Sequence, residues 1–221
     1  MKKITLALVF LLILPCILTA CGAKQPLYSV SQDHRVYEIR RNGKRTTITV
    51  TENGISVWEI TVKAKRSAWD AYGTNGLEVL DLNFDGLSDL KIALSEEDEK
   101  ITEVCYLQDP VTGLYEKSEA LAQLYTVGVV EDQKLILSYT GISADRATGV
   151  TEESIVAYQW QGDSLIPYRR VSITYYPAQD RYCYGVSDYI DGSFQFDDPN
   201  ERWLTPKEYA ETDWSFFYYF R

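Results

Sequence analysis

Apolar and polar side chains alternate through most of the chain. VYEIR (36–40) and TTITV (46–50) show the period of two that marks a half-buried strand, and the turn NGK (42–44) between them predicts a hairpin. Asn53-Gly54 supplies a second tight turn before ISVWEITV (55–62), where Ile55, Val57 and Trp58 mark a strongly β-prone segment. LEVLDL (77–82), DLKIAL (89–94), TEVCYLQ (102–108), KLILSYT (134–140), ESIVAYQW (153–160), SLIPYRRVSITYY (164–176), RYCYGVSDYI (181–190) and GSFQF (192–196) read as further strands. DPVTG (109–113) turns the chain toward Leu114 and Tyr115, and Gln161-Gly162-Asp163 joins two of the later strands. Two short helices are expected. SEALAQL (118–124) has Ser118 as its N-cap, and Thr205, Pro206 and Glu208 form a capping box with proline at the first helical position. The tail WSFFYYF (214–220) reads as a closing strand, and TGISADRATGVTEE (139–152) as a long polar loop. Many short strands joined by Gly, Asn, Asp and Pro turns predict an all-β antiparallel meander, small and β-propeller-like, with sandwich or barrel as alternatives.

The first twenty residues break this pattern. Lys2 and Lys3 precede an apolar run, Ile4 to Leu14, that is too short for a membrane span. Leu18, Thr19, Ala20 and Cys21 match the lipobox of bacterial lipoprotein signals. That resemblance implies acylation of the Cys21 thiol, cleavage before it, and a lipid holding the protein on an extracytoplasmic membrane surface. An ordinary secretory signal with an incidental cysteine is the competing reading. The expected organisation is a signal peptide (1–20), a lipidated tether (21–27) and one β-rich domain (28–221). Removing the signal takes two lysines and no acids, so the formal charge moves from −10 to −10 − 2 = −12. Such an acidic chain is a poor nucleic-acid binder, because phosphates are neutralised by Lys and Arg. It suits cationic partners or metal ions. Outside the cytoplasm a disulfide between Cys105 and Cys183 is permitted, and two buried thiols fit equally well.

The densest chemistry lies in DLNFDGLSDL (81–90). Ca²⁺ takes six to eight hard oxygen ligands at about 2.3–2.6 Å. Asp81, Asn83 and Asp85 stand at positions 1, 3 and 5 of a wrapping loop, Gly86 permits the sharp turn, Leu87 offers its backbone carbonyl, and Asp89 adds a carboxylate at position 9. Position 12 is Ile92 instead of the glutamate of an EF-hand, and the flanks are strands, so the loop is the shorter D-x-N-x-D-G-x-x-D type. A turn that caps its own amides and binds nothing is the competing reading. Glu96, Glu97 and Asp98 follow closely and read as a solvated acidic turn.

DLNFDGLSDLKIAL followed by CYLQDPVTGLYEKSEALAQL resembles a group of secreted bacterial lipoproteins and periplasmic proteins with an NFDGxxDL loop, a Y-L-x-D-x-x-T-G-x-F hairpin and a short E-x-L helix. Tyr115 replaces the usual Phe, and YQWQGDSLIPYRR is similar to the group's Y-x-W-x-x-G-x-L strand pair. The loop is more loosely similar to FG-GAP and VCBS propeller repeats. The resemblance implies a small β-propeller-like fold, a bound calcium ion and, for its best-known members, immunity to lysozyme-like antibacterial effectors. No inhibitory motif accompanies it.

No catalytic constellation stands out. His34 is the single histidine, and the chain has no G-x-S-x-G, no zinc-ligand cluster and no phosphate loop. A non-enzymatic binding role is expected, with a cationic lysozyme-like protein as partner. Loop 139–152 and the acidic segment 188–201 are the places to seek its contact. A glycan-binding or envelope-assembly module is the alternative. Trp58, Trp69, Trp160, Trp203 and Trp214, with seventeen tyrosines, offer stacking surfaces, although β-proteins spend most aromatics on packing.

Overall fold

The computed structural model describes residues 28–65, 76–97, 100–196 and 202–219. The signal, Cys21, the tether and Trp69 lie outside the described residues, as do the side chains of Glu96 and Glu97 and all of Asp98. Three open antiparallel sheets follow one another along the chain, each joining mostly sequence neighbours, and none closes into a barrel.

Sheet 1 is the meander β1 (Tyr28–Gln32), β2 (Arg35–Asn42), β3 (Arg45–Glu52) and β4 (Ile55–Lys63). Its register aligns Ile39 with Ile48 and Ile60, and Tyr37 with Val50 and Trp58, so one face is a continuous apolar surface. The other face carries polar pairs such as Thr47 with Thr61, whose hydroxyls lie 2.9 Å apart. The Asn53-Gly54 turn forms as expected, with φ of +51° and +79° at its two central residues.

Sheet 2 comprises β5 (Leu77–Leu80), β6 (Asp89–Glu97), β7 (Lys100–Gln108) and β8 (Tyr115–Lys117). It is the middle layer. Leu90, Ile92, Val104 and Tyr106 pack against Tyr37, Ile39, Ile48 and Val50 of sheet 1, and Trp58 meets the rings of Tyr106 and Tyr115 at 5.3 and 5.1 Å. The opposite face contributes Cys105 to a second cluster with Leu121, Leu124, Val127 and Ile136. Burial on both sides explains why DLKIAL and EVCYL alternate weakly.

Sheet 3 runs β15 (Ser193–Phe196), β14 (Arg181–Ile190), β13 (Ser164–Tyr176), β12 (Thr151–Gln161), β10 (Leu135–Tyr139) and β9 (Val127–Val130). Beside this path, β11 (Ser143–Ala144) pairs with β12 and β16 (Arg202–Leu204) with β14. The far face is covered by α1 (Pro206–Glu211) and α2 (Phe216–Tyr219), with Phe217 buried against Val171 and Ile173. Arg169 ties α2 down: its guanidinium donates to the Phe217 carbonyl at 3.1 Å and pairs with Asp188 at 2.5 Å.

Several expectations need correction. Residues 118–124 form only a 3₁₀ turn, Leu121–Gln123, in which the Ser118 hydroxyl accepts from the Leu121 amide. The tail turns into α2 instead of a strand, because Asp213 accepts from the Ser215 amide and turns the chain. Segment 139–152 is a hairpin. The Asp145 carboxylate binds the Ala147 amide and the Thr148 hydroxyl, and β11 closes on β12. Of the two readings open for Cys105 and Cys183, the structure has the buried free thiols, which lie in different layers. The capping box at Thr205 forms as expected, with Glu208 and Thr205 bonding reciprocally.

Candidate metal loop and the acidic groove beside it

Residues 81–89 connect β5 to β6, and their side chains first serve the loop itself. Asp81 accepts from the Asp85 and Gly86 amides at 3.2 and 2.8 Å. Asn83 accepts from the Asp85 amide at 3.2 Å and donates to the Asp85 carboxylate at 2.9 Å. Asp85 accepts from the Leu87 amide at 2.8 Å. Phe84 and Gly86 adopt φ of +62° and +87°. A Cβ at Gly86 would meet nothing within 4 Å, so conformation and not space calls for glycine there.

Asp89 differs from the other two acids. It is fully buried, and its two oxygens accept from the Leu82 amide at 2.8 Å and the Gln108 amide at 2.7 Å. Burial pushes its carboxyl up to about 7. The two amide bonds oppose the rise, and the charges of Asp85 and Asp81 add to it. Among the described residues, no Lys, Arg or His pairs with Asp81, Asp85 or Asp89.

The loop is also where the three layers meet. Ser88 donates its hydroxyl to Asp33 and accepts from the Gln32 amide group, both at the β1–β2 end of sheet 1. Trp160 of sheet 3 donates its indole N–H to the Leu82 carbonyl at 2.8 Å. Leu82 and Phe84 enter the cluster between sheets 2 and 3, and Leu90 enters the one between sheets 1 and 2.

Beside the loop, between sheet 2 and the β12–β13 turn, lies a groove of about 550 Å³. Asp85, Asp109, Glu116, Glu119 and Asp163 line it with carboxylates. Its one described cation, Lys117, is paired to Glu119 at 2.8 Å. Bonds from the Thr112 and Val111 amides and the Thr112 hydroxyl hold the half-buried Asp109 below its ordinary value. Trp160 adds an aromatic wall.

The structure thus brings Asp81, Asn83, Asp85, Leu87 and Asp89 into one loop. Among the described residues no three His, Cys, Asp or Glu side chains converge as a ready metal cluster, because Asp81 and Asp85 point at loop amides. The groove was not legible in the sequence. It draws on residues 83–85, 107–120 and 160–163, which only layering brings together, and on none of the described residues of 139–152 or 188–201. The described tryptophans mostly pack: Trp58 between sheets, Trp203 on Tyr176 at 5.3 Å and Trp214 on Tyr184 at 5.3 Å.

No family model matches the chain, and no curated protein matches it. Among solved structures, the fold is similar to one described as "Structure of a Xanthomonas Type IV Secretion System related protein". The TM-score is 0.52 at 12% identity, over 77% of this chain and 92% of that one. A likeness at this identity is one of fold.

Proposed function

We propose that this chain is an extracytoplasmic lipoprotein, anchored through Cys21, that binds a cationic protein in the acidic groove and needs calcium in loop 81–89 to hold the groove's shape. The observation that carries this reading is the placement of the acidic loop, at the head of an acidic groove and at the junction of three sheets. A cationic surface loop of a partner would meet five carboxylates and one aromatic wall there.

The loop's donor set fits a hard divalent cation. Every donor is an oxygen, three are carboxylates, and no described cation neutralises them. Asp81, Asn83, Asp85, the Leu87 carbonyl and Asp89 would hold the ion. The ion would supply charge compensation and structure, not chemistry.

The sharpest form of the proposal is immunity of the lysozyme-inhibitor type, in which the protein blocks a cationic glycan hydrolase. The described fold neighbour, a type IV secretion system related protein, is consistent with a cell-envelope setting. The glycan-binding alternative draws on Trp160 alone in this groove.

The test is inhibition of a panel of lysozymes and muramidases in calcium and in chelator, with Glu119→Lys and Asp163→Lys as variants. Inhibition that needs calcium and is lost in both variants supports the proposal. Absence of inhibition together with retention on peptidoglycan would favour the glycan reading.

A further inference from the structure

The charge of this acidic protein is unevenly placed. At the β2–β3 end of sheet 1, opposite the acidic loop, a second groove of about 570 Å³ is lined by Arg41, Lys44, Lys63 and Lys65 over an apolar floor of Ala64 and Leu94. No acidic side chain is among its described lining. Arg45 stands beside it, opposite Lys63 in the ladder. Four cations around one groove are unexpected in a chain of net charge −10.

The chain path gives this end a meaning. Tyr28 pairs with Ile39 and Gln32 with Arg35, so β1 enters from the β2–β3 end and runs toward the acidic loop. The first described residue, Tyr28, therefore lies toward the basic side. Gly43 lies four residues beyond the Ile39 position, about 13 Å along the strand. Cys21 precedes Tyr28 by seven residues, a span of at most about 25 Å.

We infer that the basic groove docks on the phosphate headgroups of anionic phospholipids in the membrane that carries the anchor, and so sets the protein's orientation. The inference rests on the anchoring proposed above and adds a face to it. A lipid on Cys21 alone fixes position and leaves the body free to tumble. Attraction at the basic end and repulsion at the acidic end act together to turn the acidic groove away from the bilayer. Each cation close to an anionic surface is worth a factor of about five in binding.

The test uses the full acylated chain in vesicles of phosphatidylcholine, with and without phosphatidylglycerol. A fluorophore is placed at Asn42→Cys on the basic end or at Ile55→Cys, 69% exposed on the opposite end, while Cys105 and Cys183 are buried and unlabelled. Quenching by headgroup nitroxides should be strong for Asn42→Cys and weak for Ile55→Cys. The difference should need phosphatidylglycerol, shrink in high salt, and collapse when Lys63→Glu and Lys65→Glu are combined.

Equal quenching at both ends, or the same pattern without phosphatidylglycerol, would overturn the inference. Glu96 and Glu97 end β6 at this same end, and Asp98 and Glu99 follow them in sequence. If they fill the groove, the double variant will lower the melting temperature and leave quenching unmoved, which also overturns it. The mass of the Cys21 peptide tests the anchor separately. Should it lack acyl chains, salt-sensitive flotation of the same chain on anionic vesicles would still support headgroup docking, and absence of flotation would refute it.

Discussion

Asp89→Asn and Asp85→Ala should separate two functions that share one loop. Asp89 is buried and accepts two amide bonds at 2.8 and 2.7 Å. An asparagine keeps one acceptor and turns an NH₂ toward the other amide, so one charged bond is lost and a buried N–H is left facing a donor. Bonds to charged groups are worth about 1.5–3 kcal/mol each, and a stranded buried group costs about 1–3 kcal/mol. Burial offsets the charged bonds at pH 8, so the stranded N–H dominates and the expected loss is about 1–3 kcal/mol, or about 2–12 °C in Tm at roughly 2–4 °C per kcal/mol for a chain of this size. Asp85 is exposed and holds the Leu87 amide, so Asp85→Ala should cost less than about 1 kcal/mol without metal. The assay is thermal melting at pH 8 in chelator and then in calcium; that pH lies above the value of about 7 to which burial raises Asp89. Calcium at a hundred times its Kd should add about 2.7 kcal/mol to the wild type and nothing to either variant. Equal melting of the two variants in chelator would refute the clamp assigned to Asp89. A calcium gain that survives in Asp85→Ala would refute the ligand set.

Trp160→Phe removes the indole bond to the Leu82 carbonyl and should cost about 1–2 kcal/mol in urea unfolding, with a weaker calcium response. Arg169→Met leaves Asp188 without its guanidinium and the Phe217 carbonyl without that donor. A loss of about 3 kcal/mol and early proteolysis at the C-terminal helix should follow. Burial pushes Glu103 up to about 8, and the bond it accepts from the Val127 amide at 2.5 Å opposes the rise. With a raised folded value, its stability contribution is full below about pH 4.5 and is lost as pH rises through about 8. Glu103→Gln should therefore flatten the pH dependence of the urea midpoint across that window.

The strands were legible where alternation was strong, as in β2, β3, β12 and β13, because one face of each is buried and the other wet. β1, β9 and β16 escaped notice. YSVSQ carries little apolar signal, VGVV is interrupted by Gly128, and RWL is three residues long, so each owes its strand form to the neighbour it pairs with. The aromatic tail failed in the opposite sense: WSFFYYF has strand composition, yet a local cap at Asp213 and burial of Phe217 make it a helical turn. In the loop, the spacing of Asp81, Asn83 and Asp85 located the side chains, but nothing in the spacing shows that Asp89 points inward at Gln108, nineteen positions away.

The sheets follow one another in chain order, and this bears on assembly as well. Sheets 1 and 2 are built from neighbours in sequence, so each can pair as soon as its own segment is available. The bond from Trp160 to Leu82 joins residues 78 positions apart and must wait for half of sheet 3. A chain in which β12 has not docked lacks this bond and leaves one apolar face of the middle sheet uncovered. A ligand of the β5–β6 connection would therefore act late. It would select the finished stack over the half-built one and leave the earlier hairpins to find their own registers.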